Sequence, residues 1–269
     1  MKKKFPVFSL TVLFFVFGLT ILGPLFYNIS PYELSAGNIL LPPSFDNPLG
    51  TDRLGRDLLA RLMKGGQTSL LIGIGSALIA SLLGLIIGVS AGFFGKIADK
   101  SIIVLIDLFL TFPTFFLLLA LISYIEASAW ALIVVISITG WMGMARLIRS
   151  ESFAIAQKPF IKILNIANVS PSTIIFKYFT PLLSPIFFIS FTFGVSGAIL
   201  AESGLSFLGI GIMPPQMSWG SILAEGKEVL DVAWWVSFFP GFMIFLVTYS
   251  LIKLSDFMQA YTNQNEFIS

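Results

Sequence analysis

Six long apolar stretches, separated by shorter polar segments, dominate the pattern of residues along the chain. A helix that crosses a bilayer needs about 20 mostly apolar residues, because the hydrocarbon is about 30 Å thick and each helical residue rises about 1.5 Å. Inside lipid the backbone must satisfy its own hydrogen bonds, and no alternating pattern favours a barrel. The pattern therefore predicts an all-α protein with six transmembrane helices, at residues 5–27, 68–94, 101–124, 129–148, 179–200 and 236–254.

Composition agrees with a polytopic membrane protein. Of the 269 residues, 56% are hydrophobic and 11% charged, and the mean hydropathy is +0.92, whereas a soluble domain is about 25% charged. The absence of His and Cys excludes His–Cys zinc sites, cysteine nucleophiles and histidine triads. We expect no catalytic, cofactor-binding or metal-binding residue in the chain. The net charge of +2 gives no basic field for nucleic acid.

The distribution of Lys and Arg predicts the direction of the spans, because these residues concentrate in cytoplasmic segments. With the lysines at positions 2–4 inside, most other basic residues also fall inside and most acidic residues fall outside. We therefore expect both termini in the cytoplasm. The first span is longer than the 7–15-residue core of a secretory signal and lacks a small-residue cleavage site, which favours an uncleaved anchor.

Three connections exceed the 2–8 residues that are usual between packed helices. They are the external segments 28–67 and 201–235 and the cytoplasmic segment 149–178. The predicted organisation is thus an N-terminal lysine cluster with the first helix (1–27), an external connecting segment (28–67), a transmembrane core (68–256) and a cytoplasmic tail (257–269).

The cytoplasmic connection carries strong turn signals. Pro159 suits the first turn of a helix, Asn168 suits a left-handed stop, and Ser170 followed by Pro171 suits the start of a second helix. The sequence therefore predicts a short helix across the cytoplasmic face, joined by an elbow to the fifth span. Its apolar residues are too many to leave in water, so some should pack on the bundle and others on a partner subunit.

A ridge of small residues recurs at every fourth position of the second span: Ser76, Ala80, Gly84, Gly88 and Gly92. Helical geometry stacks these residues on one face, where another helix can approach closely. The ridge serves either packing within the chain, which is the commoner use, or a seam with another subunit.

Asp107 and Glu202 are candidate gate or pathway residues. Asp107 lies in the third span, where an ionised group costs at least about 2.5–3.5 kcal/mol, so it should face the bundle or a cavity. A structural bond to a neighbouring helix or loop is the alternative role for Asp107. Glu202 lies at the outer end of the fifth span, before the glycine-rich stretch 204–211.

Five groups of residues stand out as motifs: residues 49–57 (LGTDRLGRD), Asp107 with Phe112-Pro113, residues 205–211 (LSFLGIG) with Pro214-Pro215, residues 218–220 (SWG), and Ala233-Trp234-Trp235 with Phe239-Pro240-Gly241. Together they resemble the second permease subunit of bacterial ABC importers for dipeptides, oligopeptides and nickel. The resemblance implies the type I ABC importer permease fold, a place in the bacterial inner membrane, and transport by alternating access.

The resemblance also implies a role for the elbow, since such permeases carry there the "EAA" coupling helix that sits in a cleft of the ATPase. In this chain Lys162 stands for the usual Glu, Ile163 and Leu164 for the two Ala, and Asn168 for the Gly. The contacts should therefore be more apolar than usual, with an acidic group of the ATPase facing Lys162. The implied coupling residues are Phe160, Ile161, Lys162, Ile163, Leu164, Asn165, Ala167 and Asn168.

The implied partners are a second, related permease subunit, two ABC ATPases (identical or different), an extracytoplasmic solute-binding protein and the lipid bilayer. ATP and Mg would belong to the ATPases, because neither Gly95-Lys96 nor Gly226-Lys227 continues into a Walker motif. Short peptides or a nickel or other metal chelate are the implied solutes, and a nickel-specific permease is one alternative. An ion-coupled secondary transporter and a membrane enzyme are alternatives from other classes; they predict paired broken helices and convergent acid–base groups, respectively.

Overall fold

The structure, a computed structural model, describes residues 5–266. The lysines at positions 2–4, on which the predicted direction depends, lie outside the described residues. No strand occurs between residues 5 and 266, and the all-α prediction is confirmed. The helices are α1 (Val7–Ile21), α2 (Gly23–Phe26), a 3₁₀ turn (Ala36–Asn38), α3 (Leu58–Phe94), α4 (Lys96–Leu110), α5 (Thr114–Ile122), α6 (Ala129–Ala156), α7 (Pro159–Ile166), α8 (Pro171–Ile174), a π turn (Ile175–Phe179), α9 (Thr180–Phe207), α10 (Trp219–Lys227) and α11 (Trp235–Glu266).

Four helices are long and apolar enough to cross a membrane: α3, α6, α11, and the continuous helix that α8 and α9 form through the π turn. The predicted spans at 68–94, 129–148, 179–200 and 236–254 lie inside them. α3 begins earlier than predicted because Asp57 caps it, its side chain accepting a hydrogen bond from the Ala60 N–H at 2.8 Å. α11 continues to Glu266, so most of the predicted tail extends the last helix.

The predicted third span, residues 101–124, is not one straight helix. α4 ends at Leu110, α5 begins at Thr114, and their axes differ by 80°. Pro113 is the residue before α5, and proline ends a helix because it lacks the N–H and its ring clashes with the preceding turn. The Phe112-Pro113 pair therefore breaks the span.

The first predicted span is also shorter than expected. α1 has 15 residues, which is about 22 Å at 1.5 Å per residue and less than the hydrocarbon thickness of about 30 Å. It packs against α11, where Val16 and Val247 share one apolar cluster. By length and composition the described residues contain four spans, or five if α4 and α5 form one broken span, so the count of six is not confirmed.

α3 lies at the centre of the bundle and packs along its length on α6 and α9. α11 covers α9, and the short α10 fits between α9, α11 and the beginning of α3. Two features follow from this arrangement: a groove between α3, α6 and α9, and an elbow where the chain passes from α6 through α7 to α8.

Candidate functional site

The elbow forms as the local signals predict. Pro159 occupies the first turn of α7, and Asn168 takes a left-handed conformation with φ of 55°, which Asn tolerates better than most residues. The Ser170 side chain caps α8 by accepting from the Thr173 N–H. The chain therefore reverses between two short helices, and the second of them leads without a break into α9.

The apolar residues of α7 divide between two faces. Ile161 is 1% exposed and belongs to a cluster with Ile174 and Phe179, and Leu164 packs partly against the same cluster. Ile163 is 64% exposed and Ile166 81% exposed. Of the other candidate coupling residues, Lys162, Asn165, Ala167 and Asn168 are exposed, and Phe160 is 39% exposed.

α7 is thus anchored to the bundle by one face and presents an apolar face to its surroundings. Large apolar side chains that stand together outside the bundle mark a contact with a partner protein or with the membrane. Ile163 and Ile166 are three residues apart, so they lie next to each other on the helix.

The groove between α3, α6 and α9 has a volume of about 540 Å³. Small and hydroxyl-bearing residues line it, with Ser76 from α3, Thr139 from α6 and Ser190 from α9. It extends from the region of Leu118 on α5 to the region of Asp256 on α11. Its size and its mostly apolar lining with a few hydroxyl groups are typical of a site for a small molecule.

The small-residue ridge packs largely within the chain. A Cβ atom added at Gly84, Gly88 or Gly92 would come within 3 Å of atoms of α6. The other two ridge residues, Ser76 and Ala80, lie further along the same face and line the groove. Three of the five small residues therefore allow α3 and α6 to approach each other closely.

Asp107 points to α6. Its Oδ1 atom accepts a hydrogen bond from Arg146 Nη2 at 2.5 Å, and both side chains are more than half exposed. One turn nearer the elbow, Arg149 Nη2 donates to Asp99 Oδ2 at 2.9 Å. These two ion pairs join α4 to α6, and Asp107 does not line the groove.

Glu202 is completely buried and does not line the groove. Its carboxylate accepts hydrogen bonds from Ser206 Oγ at 2.7 Å and from Ser69 Oγ at 3.1 Å. Those hydroxyls accept in turn from the backbone N–H groups of Ile212 and Trp219, at 3.0 and 3.1 Å. Glu202 thereby holds the segment between α9 and α10 against α3 and α9.

Replacing Glu202 by alanine should loosen that segment. The change leaves two buried hydroxyls without their acceptor, which costs about 2–3 kcal/mol. We expect faster hydrogen exchange at the Ile212 and Trp219 amides. Glu202→Gln is the matched control, since its carbonyl keeps one acceptor and its exchange rates should fall between those of wild type and Glu202→Ala. Equal exchange in all three proteins would show that Glu202 does not hold the segment.

Comparison with known proteins decides the family. The family model described as "Binding-protein-dependent transport system inner membrane component" matches residues 84–266, which include the elbow, most of the groove and Glu202. The chain belongs to this family. Its relatives are named permeases rather than enzymes.

Three relatives cover most of this permease. It is 34% identical over 259 residues to the dipeptide transport system permease protein of Bacillus subtilis (strain 168), covering 96% of this chain and 81% of the relative. It is 32% identical over 249 residues to the oligopeptide transport system permease protein of Mycobacterium bovis, covering 92% and 86%. The corresponding protein of Haemophilus influenzae is 30% identical over 258 residues, covering 95% and 83%.

A solved structure shares the fold of the permease. A chain of the MetNI methionine ABC transporter, in an inward-facing crystal form, superimposes with a TM-score of 0.56 at 16% identity, covering 74% of this permease and 96% of that chain. The predicted type I importer permease fold is thus confirmed.

An ionic cluster, here called the ionic latch, joins the start of α3 to α10, and no sequence pattern predicted this pairing. Arg61 forms two parallel hydrogen bonds to the Glu225 carboxylate, at 2.8 and 2.9 Å, and also binds Asp52. Arg56 bridges the same two acids, at 2.7 Å to Asp52 and 2.8 Å to Glu225. The latch consists of Asp52, Arg56, Arg61 and Glu225.

The latch makes the stability of the permease depend on pH. Burial acts to raise the pKa of Asp52, but Arg61 and the N–H groups of Arg56 and Leu54 outweigh it and hold that pKa below its usual value. The carboxylate therefore stabilises the fold fully above the unfolded pKa of about 3.9, and this contribution declines as the pH falls from there through the lower pKa of the folded state.

We expect the melting temperature in detergent to fall with pH below about 4, and Asp52→Asn to lower it at neutral pH and flatten its pH dependence. Asp46, a carboxylate in an exposed turn of the same segment, supplies the control Asp46→Asn, which should leave the curve unchanged. If the melting temperature of Asp52→Asn depends on pH as strongly as that of wild type, other groups cause the pH dependence.

Proposed function

We propose that this permease is one subunit of an ATP-driven, binding-protein-dependent importer of short peptides. Its relatives are named dipeptide and oligopeptide permeases, and its groove offers hydroxyl groups and apolar walls that suit peptide backbone and side chains. In this proposal the groove is this chain's half of the translocation path, opened alternately to the two sides of the membrane. A nickel or other metal chelate is the alternative cargo.

The observation that carries the proposal is the exposed apolar face of α7. Ile163 and Ile166 stand in the open while Ile161 fixes the helix to the bundle. A partner that covers this face would move the elbow and, through the continuous α8–α9 helix, the wall of the groove. An ABC ATPase is the partner that the proposed function requires there, and ATP and Mg would bind to that ATPase.

The remaining surfaces fit the other proposed partners. With α7 in the cytoplasm, both termini lie inside and segments 28–67 and 201–235 lie outside. In the first external segment Phe45 is fully exposed at the tip of a turn closed by a 2.9 Å hydrogen bond from the Ser44 N–H to the Asn47 carbonyl. Such an apolar tip suits contact with a solute-binding protein. A second permease subunit would complete the path.

Reconstitution tests the proposal. When this chain is co-expressed with a second permease, ABC ATPases and a solute-binding protein from the same organism, it should copurify with the second permease and with the ATPases. In liposomes this complex should accumulate labelled tripeptide only with ATP and the binding protein. Uptake driven by an ion gradient through this chain alone would favour a secondary transporter instead. Uptake of a nickel chelate that excess tripeptide does not inhibit would reassign the cargo.

A further inference from the structure

Two glycines beside the groove have no packing role within the chain. Gly143 of α6 and Gly197 of α9 both line the groove, and a Cβ atom added at either would meet no heavy atom within 4 Å. Gly84 and Gly88 of the ridge differ, since a Cβ there would clash with α6. Glycine inside a helix is less favourable than alanine, so Gly143 and Gly197 need a reason other than packing against this chain.

The groove also contains a hydroxyl that lacks a partner. Ser76 lines it from α3, is 0% exposed, and its Oγ atom makes no hydrogen bond within residues 5–266. A buried hydroxyl without a partner is unfavourable. Because Ser76 has no accessible surface in this conformation, a peptide backbone in the groove would reach this hydroxyl only after the neighbouring helices separate.

Few of the side chains that line the groove are charged. Among the described residues that line the groove, Asp256 is the one with a charged side chain, and it lies at the α11 end. The lining elsewhere consists of small, hydroxyl-bearing and apolar residues. Such a lining selects molecules mainly by their size and shape.

We propose that Gly143 and Gly197 set the width of the path, so that this permease admits peptides according to the bulk of their side chains and not according to charge. The inference rests on the proposed function, because it takes the groove as the path of the cargo. It assigns the two glycines as specificity-determining residues, one on each of two groove-lining helices.

The test compares bulky and small cargo in the reconstituted complex. Gly143→Leu and Gly197→Leu should each lower ATP-driven uptake of a tryptophan-containing tripeptide by about tenfold or more relative to uptake of trialanine. Gly18→Leu is the matched control, because Gly18 also lies in a helix with open space beside it but does not line the groove. The control should transport both peptides as wild type does.

Each other outcome overturns a defined part of the proposal. Equal loss for both peptides, or no loss for either, would show that the glycines do not sort cargo by bulk. If the leucine variants no longer copurify with the second permease, the two glycines instead make room for a helix of that subunit. If wild type and Gly18→Leu both fail to take up trialanine, the proposed function fails, and the assignment of the glycines fails with it.

The natural absence of cysteine provides a readout that does not depend on uptake. Gly143→Cys and Gly197→Cys should react with small thiol reagents, and tripeptide supplied with the binding protein and ATP should slow the reaction. Gly18→Cys should show no protection by peptide. Absence of protection at both groove positions would contradict a cargo path there, even if the leucine variants do not fold.

Discussion

Replacing Ile163 by aspartate is expected to reduce ATP-driven uptake by about 100-fold or more while the permease still folds. Ile163 is 64% exposed, so the change removes little packing within the chain. In the assembled importer the same position would lie in an apolar cleft of the ATPase. Burying an unpaired carboxylate there costs several kcal/mol, and each 1.4 kcal/mol corresponds to a factor of about ten.

Substitutions at Ile161 and Ile163 should separate an effect on folding from an effect on coupling. Ile161 is 1% exposed and packs in the cluster beneath α7, so Ile161→Ala should lower the stability of the isolated permease by about 2–5 kcal/mol. Ile163→Ala should leave stability nearly unchanged and still weaken the link between ATP hydrolysis and uptake. The measurements are melting temperature, ATPase activity and uptake on the same preparations. Normal uptake and normal ATPase activity in Ile163→Asp would show that α7 does not contact the ATPase.

Loss of Arg61 is expected to destabilise the permease strongly. Its side chain is 1% exposed and binds two acids that lie in different parts of the chain. Arg61→Ala leaves Asp52 and Glu225 facing each other with only Arg56 between them. Removing one partner of a buried ion pair costs about 3–5 kcal/mol, because the remaining charge is uncompensated.

An exposed ion pair nearby supplies the control for Arg61. Arg53 pairs with Glu228 at the surface, with side chains 44% and 61% exposed, and exposed pairs contribute at most about 1 kcal/mol. Thermal unfolding in detergent should therefore show a large loss for Arg61→Ala and almost none for Arg53→Ala. If the two losses are similar, the ionic latch does not hold α10 to α3.

Local signals predicted the elbow well because each acts within a few residues. Pro159, Asn168 and Ser170 each dictate one backbone conformation at one position, and the structure contains all three. Apolar length predicted the four long spans for a similar reason, since hydropathy adds along a single helix. The helix ends were missed where a cap such as Asp57 starts the helix before the apolar stretch begins.

Features that depend on distant residues could not be read from the pattern. The sequence does place basic residues next to Asp52, but nothing local identifies Glu225, 164 residues after Arg61, as their shared partner. Glu202 carries the same lesson, since its position at the end of a span is visible in the sequence but the serines of α3 and α9 that enclose it are not. The apolar stretch continues across Pro113, so the hydropathy pattern alone did not reveal the break there.

α3 has 37 residues, so it is about 55 Å long and exceeds the hydrocarbon thickness by roughly 25 Å. Its first turns carry Arg61 of the ionic latch, its middle lines the groove at Ser76, and its last turns press Gly92 against α6, the helix that leads into the elbow. One unbroken helix therefore runs from the latch past the groove to the part of α6 that precedes the elbow. Because such a helix can tilt but cannot shorten, tilting of its Gly92 end would move its latch end sideways.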